Sequence, residues 1–190
     1  MYVSLMSMIL TGVLNMIFCK LPVLSSLRRP IDAGKVLPDG KRVFGDNKTW
    51  KGFIGYMLLG TLMSLIWGFC CKASPALAGH NYFYFEHSNT IQYNLLIGLL
   101  LGTAYALFEL PNSFLKRRIG IVPGKTMKGW QKAFFVFLDQ ADSIFGCVLV
   151  LCIFHPLPVW YYFVFVFVGA VTHIIFNMLL YCANLRKNMF

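Results

Sequence analysis

The stretch from Glu109 to Asp142, ELPNSFLKRRIGIVPGKTMKGWQKAFFVFLDQAD, decides how the rest of the chain is read. It opens and closes on carboxylates set in apolar sequence. Between them lie Lys116-Arg117-Arg118, a Pro123-Gly124 turn signal, and Lys125, Lys128 and Lys132. Asp139 and Asp142 stand three apart in a run that reads as helix, so both project from one face. Two like charges placed this way repel unless a cation joins them. A carboxylate pair at a membrane edge, beside a dense cationic loop, points to a metal held against phosphates.

The sequence around that stretch is membrane-like. Of 190 residues, 58% are hydrophobic and 13% charged, with a mean hydropathy of +0.66. A soluble domain averages about 45–50% apolar and about 25% charged residues. Crossing the hydrocarbon core takes about 20 apolar residues. Five such runs occur, over residues 3–19, 53–71, 91–110, 133–154 and 157–182. The expected fold class is therefore all-α, a polytopic integral membrane protein forming a single domain over residues 1–190. The first run has no basic n-region and no small-residue cleavage site, so it reads as a retained helix. The six cysteines lie in or at the ends of runs without metal-ligand spacing, and read as packing residues.

The formal net charge of +10 raises nucleic acid as a partner, and the distribution of the charge argues against it. Eight of the 17 Lys and Arg residues fall in the first loop (20–52) and six in the third (111–132). The second loop holds only Lys72, the His155-Pro156 connection holds none, and the tail holds Arg186 and Lys187. By the positive-inside rule this alternation places loops one and three and the C-terminus in the cytoplasm and the N-terminus outside. The partners expected are membrane lipids and a phosphate-bearing substrate, with a homodimer left open.

Loop one contains the segment Val23–Ile31, which reads as lying flat at the interface with Arg28 and Arg29 towards headgroups. Its run Gly45-Asp46-Asn47-Lys48-Thr49-Trp50-Lys51-Gly52 places donors, a carboxylate and a lysine just before the second span. It lacks Walker A spacing. It reads equally as a basic juxtamembrane segment anchored by Trp50 or as a phosphate-binding element. His80, Glu86 and His87 in loop two read as exposed loop residues, not as a metal site. His173 reads as a helix-packing or hydrogen-bonding residue.

Carboxylates are scarce here, so each one is informative. Of seven, only Glu86 falls outside; Asp32, Asp39 and Asp46 are in loop one, Glu109 ends the third span, and Asp139 and Asp142 lie in the fourth. An Asp at a helix centre costs about 2.5–3.5 kcal/mol on insertion scales, so buried carboxylates imply partners. If the substrates are a nucleoside triphosphate and a lipid phosphate, bringing two polyanions together is the main barrier. A phosphate monoester is largely a dianion at pH 7 and is already a nucleophile. The chemistry then needs positioning, Mg²⁺ and fixed cations rather than a Ser-His or Cys-His pair.

Four ordered segments resemble the CDP-archaeol synthase family, relatives of the CTP-dependent phosphatidate cytidylyltransferases. They are Ile31-Asp32-x-Gly34; Asp39-Gly40-Lys41-Arg42-x-Phe44-Gly45-Asp46-x-Lys48-Thr49-Trp50-x-Gly52; Ser113-Phe114-x-Lys116-Arg117-Arg118-x-Gly120-Ile121; and Asp139-Gln140-x-Asp142. The resemblance implies transfer of CMP from CTP to a membrane lipid phosphate, archaeol-type or phosphatidate, with release of pyrophosphate. It implies that Asp139 and Asp142 hold Mg²⁺ and that Ser113, Lys116 and Arg117 bind phosphates. Asp46, Lys48, Thr49 and Arg118 would contribute to substrate binding. Glu109 stands where such proteins commonly carry Asp, and would be a third metal-site carboxylate. Phe108 replaces the usual Gly, and Gln140 stands where the longer bacterial enzymes carry Arg. The alternative reading is a small transporter or ion-binding protein using Glu109, Asp139 and Asp142, which would favour midplane carboxylates and inverted repeats.

Overall fold

A computed structural model describes residues 1–122 and 131–182. The Pro123-Gly124 turn, Lys125, Lys128, Arg186 and Lys187 lie outside the described residues. The helices are α1 (Tyr2–Lys20), α2 (Trp50–Ala73), a short α3 (Pro75–Ala78), α4 (Ile91–Arg118), α5 (Gln131–Phe154) and α6 (Val159–Cys182). All but α3 are long and apolar enough to cross a membrane. Two 3₁₀ turns, Ser25–Arg28 and Tyr82–Tyr84, lie in the connections.

The ends of α1, α2, α5 and α6 fall within three residues of the expected runs. The exception is α4. The third span is expected to stop at 110, before Pro111, yet the helix runs 28 residues through Pro111 to Arg118. Proline removes one donor and crowds the preceding turn, and membrane helices tolerate this where neighbouring elements restore the lost contacts. Here the last turns of α4 are held from outside. Lys41 Nζ donates to the Arg118 carbonyl at 2.6 Å, and Arg118 in turn forms an ion pair with Asp39. The segment carrying Ser113, Lys116 and Arg117 is therefore helix, not loop.

Packing runs in series, α1 on α2, α2 on α4, α4 on α5 and α5 on α6. The α2–α4 contact is a close backbone crossing built on small residues. A Cβ placed at Gly102 would sit 2.2 Å from the Tyr56 carbonyl oxygen, and one at Gly98 would sit 2.6 Å from the Thr61 Cα. Leu101, between them, is fully buried with Val148, Leu151 and Ala170 of α5 and α6. Among the described residues the histidines near this connection form no common metal site: His80 bonds the Ala76 carbonyl, His87 packs on Tyr93, and Glu86 pairs with His155.

Candidate active site

Loop one is a folded element built on Asp32. The Asp32 side chain is 1% exposed and accepts from Arg42 Nη2 at 2.6 Å and Arg42 Nε at 3.2 Å. It also accepts the backbone N–H groups of Phe44 and Gly45, both at 3.0 Å, and of Gly34 at 3.1 Å. Burial alone would raise the Asp32 pKa, but Arg42 and the three N–H donors outweigh it and hold the carboxyl well below its usual range. Gly34 and Gly45 adopt φ of 81° and 103°, the left-handed backbone that lets their amides reach Asp32. The chain then pairs Ile31 with Lys48 and Arg29 with Trp50 before entering α2.

Two cations of this loop cap the end of α1. Lys51 is 1% exposed and donates to the Leu21 carbonyl at 2.6 Å, with Phe18 beneath it at 4.8 Å. Arg28 Nη2 reaches the carbonyls of Cys19, Lys20 and Leu21. Cations at a helix C-terminus satisfy orphan carbonyls and complement the macrodipole. Thr49 is likewise a cap, its Oγ1 accepting the Gly52 N–H at 3.2 Å at the start of α2. Asp46 is largely exposed and pairs with Arg42 at 2.9 Å.

The centre forms where α4 meets α5. Asn112 Nδ2 donates to Asp139 Oδ1 at 2.7 Å and to Asp142 Oδ2 at 2.8 Å. Lys116 pairs with the other oxygen of Asp139, and the Ser143 N–H closes on Asp142 Oδ1 at 2.6 Å. Lys48 reaches in from loop one to pair with Glu109. Burial alone would lower the Lys48 pKa, but the charges of Glu109, Asp142 and Asp139 prevail and raise it. Ser113 and Arg117, four apart on α4, are both buried. Nε and Nη1 of Arg117 are buried and have no hydrogen-bond partner among the described residues. The expected site residues Lys48, Glu109, Lys116, Asp139 and Asp142 therefore converge.

One expected member, Arg118, sits elsewhere. Arg118 pairs with Asp39 and donates to the Lys41 and Arg42 carbonyls, which docks loop one on α4. Glu109, expected as a third metal carboxylate, is drawn to Lys48. Among the described residues no three His, Cys, Asp or Glu side chains converge as a metal cluster. The residue missed from sequence is Asn112. It lies three after Glu109 and four before Lys116, on their face once the helix continues past Pro111.

Two cavities meet at this centre. A polar one of about 640 Å³ is lined by Arg28, Asp46, Lys48, Thr49 and Glu109, among others. A largely apolar one of about 360 Å³ lies among α1, α4, α5 and α6, with Leu5, Met8, Ile9 and Ile144 on its walls and Asp139 and Glu109 at its polar end. Met16, Tyr56 and Glu109 border both cavities. The Tyr56 ring stacks on Tyr105 at 4.2 Å, which fixes that partition.

A solved structure described as an intramembrane enzyme for archaeal membrane lipids biosynthesis shares the fold, with a TM-score of 0.61 over 97% of this chain and 92% of its own, at 21% identity. The CDP-archaeol synthase of Methanoculleus marisnigri is 38% identical over 127 residues, 67% of this chain, and this match spans 65% of that relative's length. The CDP-archaeol synthase of Pyrococcus furiosus is 33% identical over 145 residues, covering 73% of this chain and 78% of the relative. The family model described as CarS-like, CDP-archaeol synthase, matches residues 5–190. By that match and those relatives, the chain belongs to the CarS-like family of CDP-archaeol synthases.

Proposed function

We propose that this protein transfers CMP from CTP to an archaeol-type lipid phosphate in the membrane, with Mg²⁺ as cofactor and the site open to the cytoplasm. The observation that carries the reading is the shared wall of the two cavities. A polar cavity ringed by cations suits a triphosphate, and an apolar one between membrane helices suits lipid tails. Both end at Glu109, beside the Asp139–Asp142 pair. The cytoplasmic orientation rests on the Lys and Arg bias of loops one and three.

In the reaction a lipid phosphate oxygen attacks the α-phosphorus of CTP. One P–O bond forms, the bond to the β-phosphate oxygen breaks, and the electron pair leaves with pyrophosphate. The nucleophile is ionised in solution, so no side chain has to remove a proton. Lys48, Lys116 and Arg117 lower the repulsion between the two phosphate groups and orient them for in-line displacement. Asp139 and Asp142, hard oxygen donors on one helix face, fit Mg²⁺, which would draw charge from the phosphates. The Tyr56–Tyr105 stack keeps the lipid side of the partition apolar.

The test is pyrophosphate release by purified protein in mixed micelles with CTP, Mg²⁺ and either an ether-linked or an ester-linked lipid phosphate. CTP-dependent release that is faster with the ether lipid supports the proposal. Faster release with phosphatidate would shift the acceptor, and release with neither lipid would favour an ion-binding or transport role. Asp142→Asn is the control: it should fold and insert while release falls by about 100-fold or more, the scale of losing a preorganised electrostatic group.

A further inference from the structure

Asn112 is the only residue of α4 seen to touch both aspartates among the described residues, and one of its side-chain atoms is unaccounted for. The residue is 7% exposed. Its Nδ2 bridges Asp139 and Asp142, while its Oδ1 is buried and has no hydrogen-bond partner among the described residues. An unpaired buried carbonyl oxygen costs about 1–3 kcal/mol, so a neighbouring ligand that uses it would recover that cost.

The two ends of a side-chain amide exchange places when it turns half a revolution about Cβ–Cγ. In the present orientation the NH₂ group acts as a neutral donor between two carboxylates and relieves their repulsion. In the turned orientation Oδ1 would face Asp139 Oδ1 and Asp142 Oδ2, three oxygens around one point. Three oxygens so placed repel one another, and a hard divalent cation is what holds such a set together. The other groups on these carboxylates do not block the turn. Lys116 occupies the far oxygen of Asp139 and the Ser143 N–H occupies Asp142 Oδ1. Each carboxylate has about four lone-pair sites, which leaves capacity for a cation.

Resting on the metal-dependent reading of this site, we propose that Asn112 is a direct ligand of the divalent cation. Its amide turns from an NH₂ bridge between Asp139 and Asp142 to a carbonyl donor when the ion binds. The site thereby has a cation-free state with its own hydrogen bonds, and α4 contributes a ligand to a pair otherwise supplied by α5.

The probe is Mn²⁺ alone, followed by electron paramagnetic resonance on the full chain in detergent, without nucleotide or lipid. Substitution by leucine separates a ligand from a mere bridge because the two roles change affinity in opposite directions. If Asn112 ligates the ion, Asn112→Leu raises the Mn²⁺ Kd by about tenfold or more, the scale seen when support for a metal site is removed. If Asn112 only relieves repulsion, Asn112→Leu leaves the Kd unchanged or lowers it, because the ion no longer competes with the bridge; that result overturns the proposal. Should the leucine variant fail to fold, wild-type protein carrying ¹³C-labelled asparagine answers the same question. Hyperfine coupling between Mn²⁺ and an asparagine amide carbon supports ligation, and its absence with Mn²⁺ bound overturns it. A wild-type protein that binds no Mn²⁺ overturns both this proposal and the metal-dependent function, whereas binding that ignores Asn112 overturns this proposal alone.

Discussion

Lys48 and Glu109, 61 residues apart in the chain, form an ion pair that closes loop one onto the middle of α4. Glu109 borders both cavities and Lys48 borders the polar one, so the pair marks the depth to which a triphosphate can enter. If Lys48 contacts the nucleotide and Glu109 positions it, the two act as a unit and their losses do not add. Lys48→Ala should lower kcat/KM for CTP by about 10- to 100-fold, the worth of a charged hydrogen bond of about 1.5–3 kcal/mol. The Lys48→Ala, Glu109→Gln double variant should be no worse than Lys48→Ala. Steady-state kinetics of all three proteins decides this, and strictly additive losses would sink the positioning role for Glu109. Because the Lys48 pKa is raised above its ordinary value, the lysine stays charged through neutral pH and adds no limb to the rate profile there.

Loop one should fail in acid, and Asp32 sets where. Its folded pKa is depressed, so the stability it contributes is fully present above the unfolded value of about 3.9 and is lost only as pH falls below that. Thermal stability attributable to Asp32 should therefore be flat from pH 5 to 8 and fall below about pH 4. Asp32→Asn should remove most of this acid dependence. At neutral pH it should cost about 1.5–3 kcal/mol for the charge-assisted bonds with Arg42 and the loop amides. Melting curves of wild type and variant across that range test it; identical acid profiles would show that Asp32 is not the group responsible.

How far the sequence reached depended on whether a residue's partners were near it in the chain. The five spans follow from apolar run length, and the placing of Asp139 and Asp142 beside two basic loops follows from the charge pattern; Lys48 and Lys116 enter the site only through the segments that resemble the family. Asn112 did not emerge because Pro111 reads as a helix end. With the helix cut there, Asn112 loses its register with Glu109 and Lys116 and looks like a loop polar residue. What carries the helix onward is Lys41 and Arg118, a contact between residues 77 apart that no local pattern encodes. The same holds for Asp32, whose ligands come from positions 34, 42, 44 and 45. The resembling segments were recognisable as strings, while the hydrogen-bond hub that ties Ile31-Asp32-x-Gly34 to Arg42-x-Phe44-Gly45 became visible only in three dimensions. Lys51, counted as one loop cation among eight, is a buried cap on α1.

Close approach of α2 and α4 is what holds the partition in place. Gly102→Ala would put a methyl group 2.2 Å from the Tyr56 carbonyl oxygen, a backbone atom that cannot rotate away. The helices must separate, and Tyr56 moves with them. The expected loss is about 1–3 kcal/mol, the usual cost of overpacking, with the melting temperature falling accordingly. Rate should fall as well, because Tyr56 borders both cavities. A variant that melts like wild type would mean that α2 and α4 are less tightly apposed in the bilayer than here.

The apolar cavity can be tested from the opposite wall. Gly12 of α1 lines it, and a Cβ built there meets nothing within 4 Å, so a side chain at 12 enters open space. Gly12→Ala should fold normally and gain up to about 1 kcal/mol from helix propensity. Gly12→Phe should also fold, but its ring would occupy volume that lipid tails need. KM for the lipid phosphate should then rise by about tenfold or more, the scale on which apolar pockets discriminate size. KM for CTP should not change, since Gly12 is absent from the polar cavity's lining. A split of that kind, read from initial rates at varied lipid and varied CTP, assigns the cavity to the acceptor. Equal effects on both substrates would instead mean that the phenylalanine distorts the shared wall at Met16, one helical turn further along α1.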